Sequence, residues 1–327
     1  MINKLSIYIP TYNREKRLLQ LLKSIEQINS DFLEEVIISD NCSKYDVENS
    51  VRSNLSEVFF DKIRIIKNPV NIAAPGNIRN AFYWCRTKWM WLIGDDDEVL
   101  PDSLKIIETD VLEDPNCAQF RYSCLVNSDS EFKEDDMKLS SLNDFIDYYN
   151  NEAHTKENFA FMSNNVFNME LIAPFIMYTF IFSTSLTHII PFLKGLDERA
   201  IYIRYRGDKI IRYLMPEVGT EWNKMRVMLA ISTVSHIPFK SLNIKSKKRL
   251  LQICSLVRFD ILISHMTKNK DKGYDYIMLS EVYNGLYRYT EPWYRRVLYY
   301  FFKIELLTSI PVCSLPINFL RAFLNRK

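Results

Sequence analysis

Three adjacent carboxylates, Asp95, Asp96 and Asp97, follow the apolar run KWMWLI and a single glycine. Neighbouring like charges repel one another, so such a cluster needs either open water or a bound cation. Carboxylate oxygens suit hard divalent cations, and a cation held there can in turn hold a diphosphate. The cluster alone also permits a structural interpretation, in which a solvated turn places an acidic residue at the start of the next helix.

Two further polar segments follow apolar, β-branched runs in the same way. Taken singly, each has a structural explanation, because Tyr12 could cover a sheet edge and Asp40 could cap a helix. Taken together, they offer a carboxylate for a base or ribose, an aromatic ring for stacking, and aspartates for a metal against a diphosphate. The combination therefore indicates a nucleotide and a divalent metal. The residues in these two segments are Pro10, Thr11, Tyr12, Arg14, Asp40 and Asn41.

The elements that must position these residues alternate between strands and helices over about the first 130 residues. Short apolar runs predict buried strands at 5–9, 35–40, 62–66, 88–93 and 117–126. Apolar positions at helical spacing predict helices at 14–29, at 77–86 and after Pro101. This order predicts an α/β fold, a Rossmann-like and mostly parallel sheet flanked by helices. The polar segments then converge on the carboxyl ends of its strands, where such sheets bind ligands.

The second half of the chain has a different pattern. Residues 128–151 are polar and acidic, with Glu134 among the acidic residues, which is typical of a solvated loop. Beyond it the periodicity is mainly helical, and it predicts helices at 143–149, 184–196, 208–214, 221–234 and 246–266. We therefore expect a mainly helical C-terminal region.

Composition and missing motifs exclude several classes of protein. A formal net charge of +2 on 327 residues argues against a nucleic-acid partner. No G-x-G-x-x-G follows the first strand and no G-x-x-x-x-G-K-[ST] occurs, which argues against dinucleotide dehydrogenases and P-loop NTPases. The six cysteines show no metal-ligand spacing, the N-terminus has no secretory pattern, and no apolar stretch is long enough to span a membrane. We expect a cytoplasmic protein.

Four segments, in order, resemble a known family. SIYIPTYNRE, EVIISDNCS, NPVNIAAPGNIRNAF and WLIGDDDEVLP are similar to the successive N-terminal motifs of the family 2 glycosyltransferases of bacterial surface-polysaccharide type, over about the first 110 residues. The resemblance implies a GT-A fold. It also implies transfer of a sugar from a nucleotide-diphosphate donor to an acceptor hydroxyl, with inversion at the anomeric carbon and with Mn²⁺ or Mg²⁺ as cofactor.

The resemblance also implies roles for individual residues, carried over by position. Asp40 would accept a hydrogen bond from the nucleotide base, and Asp97 would be the firmest metal ligand, with Asp95 and Asp96 at ribose and metal. Ala73 stands where the family often has glycine, so the turn beside it is expected to differ. The implied nucleotide-sugar-binding residues are Pro10, Thr11, Tyr12, Arg14, Asp40, Asn41, Asn71, Arg79, Asp95 and Asp96, and the implied metal ligands are Asp97 and Asp95.

A catalytic base has to come from the second half of the chain, on the acceptor side. The candidates are His188, Asp197 and Glu221. Each has a structural alternative: His188 lies among apolar residues as a packed histidine would, Asp197 suits a solvated helix end, and Glu221 suits the first turn of a helix.

The C-terminal segment 287–302 has eight aromatic residues interleaved with three arginines. This pattern is typical of peripheral membrane contact at the inner face of the cell membrane, and equally of a helix pair packed on the rest of the protein. Membrane contact would suit a lipid-linked saccharide acceptor. The chain is thus divided into a nucleotide-sugar-binding domain at 1–130, an acceptor-side part at 131–240 and a basic, aromatic helical region at 241–327.

Two other functions fit the same residues. One is a non-catalytic nucleotide-sugar binding protein, and the other is a metal-dependent nucleotidyltransferase on a similar sheet. Release of a nucleoside diphosphate rather than pyrophosphate would distinguish a glycosyltransferase from the latter.

Overall fold

The computed structural model describes residues 2–28, 30–126, 131–150, 159–182, 187–214, 228–229, 231–255 and 280–288. The chain divides into two compact units. The first comprises Met1–Trp222 with Pro238–Ser246, and the second comprises Asn223–Ile237 with Lys247–Lys327. The domain boundaries expected after residues 130 and 240 stay predictions.

One mixed sheet of ten strands organises the described part of the first unit. The strands are β1 Ile2–Thr11, β2 Leu33–Asp40, β3 Ile63–Lys67, β4 Thr87–Leu92, β5 Glu98–Val99, β6 Gln119–Leu125, β7 Glu131–Phe132, β8 Met137–Leu139, β9 Asn165–Asn168 and β10 Ile203–Arg212. Their order is β3-β2-β1-β4-β9-β6-β10-β5, with β7 beside β6 and β8 beside β10. The first four strands in this order run parallel. The five strands expected from apolar runs are present at the expected places, as β1, β2, β3, β4 and β6.

Helices connect and cover these strands. The α-helices are α1 Glu15–Glu26, α2 Val47–Asn54, α3 Glu57–Phe60, α4 Ala73–Arg79, α5 Ala81–Trp84, α6 Ser103–Glu113, α7 Leu142–Asn150, α8 Met169–Ile172, α9 Tyr178–Ile181, α10 Ile190–Asp197 and α11 Ile244–Cys254. Short 3₁₀ segments occur at Ala173–Phe175, Thr187–Ile189 and Thr233–His236, and a π-helical turn occurs at Tyr283–Tyr287. The helix expected at 77–86 is divided into α4 and α5.

The core forms because β1 is apolar on both faces while α1 is apolar along one stripe. Leu5 and Ile7 of β1 and Leu18 and Leu22 of α1 are all 1 % exposed or less and belong to one cluster of buried side chains. Burial of a leucine or isoleucine side chain contributes about 1.5–3 kcal/mol. This packing fixes the position of β1, and with it the position of Thr11 at the carboxyl end of the strand.

The strand β9 joins the two halves of the sheet. It lies between β4 and β6 and runs antiparallel to both, pairing Trp91 with Val166 and Phe120 with Val166. The segment that precedes β9 therefore lies beside the end of β4, where the three aspartates follow.

Two expectations for the second half were wrong. Residues 208–212 belong to β10 rather than to a helix; Ile203 and Tyr205 are buried while Arg204 and Arg206 are half-buried, which is the two-residue period of a strand. Glu134 is not a solvated loop residue, because it is 1 % exposed and its carboxylate pairs with Arg121 of β6 at 2.9 Å.

Within the residues that the structure describes, every helix falls short of the length and apolar character needed to cross a bilayer. Most of the aromatic and basic segment at 287–302 lies outside those residues, so its contact with a membrane stays a prediction.

Candidate active site at the carboxyl edge of the sheet

The ends of β1 and β4 are joined through the side chains that follow them. Thr11 Oγ1 donates a hydrogen bond to Asp95 Oδ2 at 2.7 Å, although 84 positions separate the two residues. Both side chains are buried. The sequence prediction that polar residues after β1 and β4 meet at one edge is therefore confirmed for this pair.

Arg14 supplies positive charge to the acidic cluster. Its Nη1 lies 2.9 Å from Asp95 Oδ1 and 2.7 Å from Asp96 Oδ2, and its side chain is about one-third exposed. Both carboxylate oxygens of Asp95 thus accept hydrogen bonds from protein groups, one from Thr11 and one from Arg14.

Asp97 has a different environment, with one engaged and one open oxygen. Its Oδ2 accepts a hydrogen bond from Ser163 Oγ at 2.5 Å, whereas its Oδ1 is buried without a hydrogen-bond partner among the described residues. Gly94 makes this arrangement possible, since a Cβ there would lie 3.1 Å from Asp96 Oδ1 and 3.2 Å from Asp97 Oδ2. Such contacts would displace the carboxylates.

Burial makes two of these carboxylates unusually basic. Desolvation raises the pKa of Asp95 to about 6, with Arg14 opposing the shift and Asp96 adding to it. Desolvation also raises the pKa of Asp97 well above its usual range, with the negative charge of Asp96 adding to the shift and the hydrogen bond from Ser163 opposing it. Burying such groups lowers the stability of a protein, and carboxylates with strongly raised pKa values cluster at functional sites.

The end of β2 lies beside the end of β1 and contributes further polar side chains to this edge of the sheet. Asp40 is 1 % exposed, and its Oδ1 accepts a hydrogen bond from the backbone N–H of Ser43 at 2.9 Å. Asn41 donates through Nδ2 to Asn71 Oδ1 at 2.9 Å and accepts at Oδ1 from the N–H of Ile72. The segment after β3 is therefore tied to the end of β2 by two asparagines.

Ala73 adopts a backbone conformation that favours glycine. Its φ is +61°, in the left-handed region, and its N–H donates to Asn71 Oδ1. The family's frequent glycine thus corresponds to a real conformational demand, which this chain meets with alanine.

The remaining donor-side residues lie around this edge. Pro10 is half-buried in β1, and Tyr12 is 40 % exposed directly after it, which leaves the ring free to stack on a base. Arg79, at the end of α4, lies with its guanidinium 5.1 Å from the ring centre of Phe180 in α9.

The residues fit a divalent cation bound with few protein ligands. The structure brings no set of three or more His, Cys, Asp or Glu side chains together as a ready metal cage in its described ranges. The partnerless Asp97 Oδ1 is a single buried oxygen with spare lone pairs, beside the paired oxygens of Asp95 and Asp96. Mg²⁺-type ions are commonly held by one or two carboxylates together with substrate phosphates, which is what this donor set permits.

The three candidate bases differ in what surrounds them. His188 is 1 % exposed, and burial together with the charge of Arg121 lowers the pKa of its imidazole to about 3. Asp197 is 3 % exposed and accepts from Lys194 Nζ at 2.7 Å and from Ser241 N at 2.8 Å. The hydrogen bonds of Asp197 fit its structural alternative, whereas neither ring nitrogen of the buried His188 has a hydrogen-bond partner among the described residues. Glu221 lies outside the described residues.

Two residues near the site were missed by the sequence analysis. Ser163 contacts Asp97, and the polar run SNN ahead of an apolar strand was its only sequence indication. Tyr45 is close enough to Asp40, Glu15 and Asp95 for their charges to add to the effect of burial, which raises the pKa of its phenol. The only sequence feature that pointed to Tyr45 was its position as an aromatic residue shortly after the end of β2.

Comparison with protein families gives a match over just over half of the chain. The model described as "Glycosyl transferase family 2" matches residues 6–174 of the 327. This range contains the second part of β1, all of β2 to β9 and every residue expected from the sequence to bind the nucleotide sugar or the metal.

Two curated proteins illustrate the similarity. Abequosyltransferase RfbV of Salmonella typhimurium is 33% identical over 111 residues, which is 32% of this chain and 32% of that protein. The GalNAc(5)-diNAcBac-PP-undecaprenol beta-1,3-glucosyltransferase of Campylobacter jejuni is 26% identical over 264 residues, 77% of this chain and 79% of that protein. The chain thus spans about a third of the length of the first and about four-fifths of the second.

Solved structures share the fold. S. aureus TarS 1-349 in complex with UDP-GlcNAc matches with a TM-score of 0.56 at 14% identity, over 88% of this chain and 80% of that chain. The mannosyltransferase PcManGT from Pyrobaculum calidifontis, in complex with GDP-Man and Mn2+, matches with a TM-score of 0.54 at 12% identity, over 94% and 88%. The predicted GT-A-like fold is confirmed.

Proposed function

Because the chain belongs to glycosyl transferase family 2, a family of enzymes that transfer sugars from nucleotide-sugar donors, we propose that it is a metal-dependent, inverting member. The proposed cofactor is Mn²⁺ or Mg²⁺. The proposed acceptor is a hydroxyl of a glycan or lipid-linked saccharide in surface polysaccharide synthesis. Family membership favours this function over a non-catalytic binding protein and over a nucleotidyltransferase.

One observation carries the metal dependence. Asp97 Oδ1 is buried, has no hydrogen-bond partner among the described residues, and lies at the strand edge where Asp95, Asp96 and Thr11 also meet. An isolated ionised carboxylate oxygen in such a place costs several kcal/mol unless a cation or a proton compensates its charge. Asp97 would therefore hold the metal, with Asp95 as the second carboxylate.

The donor nucleotide is proposed to lie across the ends of β1 and β2. Tyr12 is exposed and offers its ring for stacking on the base, and Asp40 offers a carboxylate at the end of β2. Asn71 and Arg79, which follow β3, would contact the nucleotide from the side opposite Tyr12. Arg14, which pairs with Asp95 and Asp96, carries a positive charge that would attract the diphosphate.

The reaction is a single displacement at the anomeric carbon. The acceptor oxygen forms the new bond as the bond from that carbon to the diphosphate oxygen breaks, and a base takes the acceptor proton. The chemistry that a bound Mn²⁺ or Mg²⁺ supplies is neutralisation of the charge developing on the leaving diphosphate. Thr11 and Arg14 hold the carboxylates in place, and the buried edge limits access of water.

Glu221 is proposed as the base. A base must exchange protons near neutral pH and reach the acceptor, and neither property suits His188 or Asp197 as they are packed. Glu221→Gln should lose turnover and retain donor binding. Retention of full turnover would move the search to another acceptor-side residue.

The acceptor proposal is supported by one relative. The Campylobacter jejuni relative is named for a PP-undecaprenol substrate, and its alignment covers 77% of this chain. A protein acting on a lipid-linked saccharide would work at the inner face of the cell membrane, in the cytoplasm. The aromatic and basic segment at 287–302 would then make the membrane contact.

A thermal-shift screen tests donor and metal together. The protein is heated with UDP, GDP and their common sugar conjugates, each with Mn²⁺ and with EDTA. We expect a rise in Tm for one nucleotide class that depends on Mn²⁺, followed by slow release of nucleoside diphosphate from the matching sugar conjugate. Equal shifts in EDTA would contradict the metal dependence, and release of pyrophosphate would contradict sugar transfer.

A further inference from the structure

The hydroxyl of Ser163 is the only described group that holds the Asp97 side chain through a side-chain hydrogen bond. Ser163 Oγ donates to Asp97 Oδ2, and the two residues are 66 positions apart in the chain. This contact leaves Oδ1 as the carboxylate oxygen that has no hydrogen-bond partner within the described part of the chain. The orientation of the carboxylate, and with it the oxygen that is available, therefore depends on Ser163, beside a backbone hydrogen bond from Leu214.

Ser163 is itself fixed on two sides. Its Oγ accepts a hydrogen bond from the N–H of Gly94 at 2.8 Å, and its carbonyl accepts from the indole Nε1 of Trp91 at 2.7 Å. Because the hydroxyl oxygen is occupied by the Gly94 N–H, its single proton is directed toward Asp97. Ser163 is 1 % exposed, so water does not compete for these bonds.

The segment that carries Ser163 is anchored to buried charge. Asn165 Nδ2 donates to the carbonyls of Phe161 and Met162, at 2.7 and 2.9 Å, and its Oδ1 accepts from Arg121 Nη1 at 3.0 Å. Arg121 in turn pairs with the buried carboxylate of Glu134. The backbone around Ser163 is thereby held by side chains from β6 and from the segment before β8.

We propose that Ser163 is a positioning residue for metal binding: its hydrogen bond turns the Asp97 carboxylate so that Oδ1 is presented to the cation. The proposal rests on the proposed metal dependence. Groups that orient metal ligands commonly account for 10–100-fold in metal affinity. Because its hydroxyl is engaged by Gly94 and Asp97, Ser163 acts through Asp97, and its effect should appear in metal affinity before it appears in donor binding.

The test compares Ser163→Ala with Ser163→Thr, which keeps the hydroxyl. Mn²⁺ binding is measured by the loss of the free-ion EPR signal, without nucleotide and with UDP or GDP. We expect Ser163→Ala to weaken Mn²⁺ binding by about 10–100-fold and Ser163→Thr to recover most of it. Nucleotide binding in EDTA should be the same in all three proteins.

Ser6→Ala is the matched control. Ser6, in the first half of β1, is also a fully buried serine. Its hydroxyl contacts Glu35 of β2 and Thr87 of β4, and none of the three aspartates. It should change stability without changing Mn²⁺ affinity. Equal Mn²⁺ affinity in unsubstituted protein and Ser163→Ala, both folded by circular dichroism, overturns the role of Ser163 alone. Lack of Mn²⁺ binding by the unsubstituted protein overturns it together with the metal dependence.

Discussion

Asp97 combines burial, an open carboxylate oxygen and a raised pKa, so its charge is a burden on the fold that a cation would relieve. Asp97→Asn keeps the size and the hydrogen bond from Ser163 but removes the charge. We expect it to retain thermal stability in EDTA, to lose the Mn²⁺-dependent rise in Tm, and to lower turnover about 100-fold or more. Thermal denaturation and a transferase assay measure these effects.

Asp102→Asn provides the matched control for this substitution. Asp102 follows β5, directly before α6; it is exposed and makes no side-chain capping hydrogen bond to that helix. It should leave both Tm and turnover unchanged. A full Mn²⁺ response in Asp97→Asn would assign the metal to other carboxylates.

His188 makes stability depend on acid. Its pKa is about 3 in the folded protein and 6.5 ordinarily, so below pH 6.5 the unfolded chain takes up a proton that the folded protein does not. Stability is therefore lost as the pH falls from 6.5 toward 3, by up to about 1.4 kcal/mol per pH unit. Arg121 adds to the effect, since its charge opposes protonation of the ring.

His188→Gln removes this titration. Urea denaturation between pH 7 and 5 should show a shallower decline in the free energy of unfolding than in the unsubstituted protein. His236→Gln, at an exposed position, should keep the original decline. If the decline is the same with and without His188, then the imidazole titrates normally and is less enclosed than the structure indicates.

Residue types and spacing predicted the aspartate cluster but not the serine that supports it. Asp95 to Asp97 stand out because three carboxylates follow one apolar strand. Ser163 is an ordinary serine 66 positions away, and its importance comes only from where β9 brings it. Contacts between distant segments that depend on strand order leave little trace in a single sequence.

At the scale of an element, the turn into α4 carries strain that a glycine would remove. A non-glycine residue in the left-handed region costs about 1–2 kcal/mol, and Ala73 has a φ of +61° there. Ala73→Gly should raise the free energy of unfolding by about 0.5–1 kcal/mol, since the greater freedom of glycine in the unfolded chain offsets part of the gain. Denaturant titration measures the difference.

Ala74→Gly is the control for this element. Ala74 is the next residue of α4 and lies outside the left-handed region, so glycine there should lower stability by about 1 kcal/mol. Two substitutions of the same kind at adjacent positions should thus have opposite signs. Destabilisation by both would mean that Ala73 is not strained.

The strand β10 occupies part of the window in which the sequence predicted a helix. The window 208–214 has helical spacing, but residues 203–206 alternate buried and half-buried side chains as a strand does. The pairing of β10 with β6 is irregular around 206–209, which interrupts that alternation where the helix was expected. A strand with such an irregularity shows the two-residue alternation of buried and exposed side chains over only part of its length, and the rest can match the spacing of a helix.

At the scale of the whole molecule, the segment at 287–302 should attach the protein to anionic membranes. We expect Arg295→Ser with Arg296→Ser to weaken co-sedimentation with phosphatidylserine vesicles by about 2 kcal/mol, or roughly 30-fold, because each basic residue near such a surface contributes about 1 kcal/mol. Lys16→Ser with Arg52→Ser, two exposed charges on α1 and α2, is the matched control.

An equal loss of vesicle binding in both double variants would indicate attraction through overall charge. Absence of binding by the unsubstituted protein would favour the other interpretation, in which this segment packs on the rest of the protein. The two interpretations were left open by the sequence, because aromatic residues between arginines suit a protein surface as well as a lipid surface.

The order in which the strands leave the ribosome differs from their order in the sheet. β6 is synthesised before β9, yet β9 lies between β6 and β4. Until residue 168 has emerged, β4 has an unpaired edge that bears the fully buried side chains Trp89 and Trp91. Such an edge can pair with other chains, so a nascent molecule is at risk of aggregation in this interval. Once β9 has emerged, it pairs with this edge of β4, and the segment before it brings Ser163 into contact with Asp97.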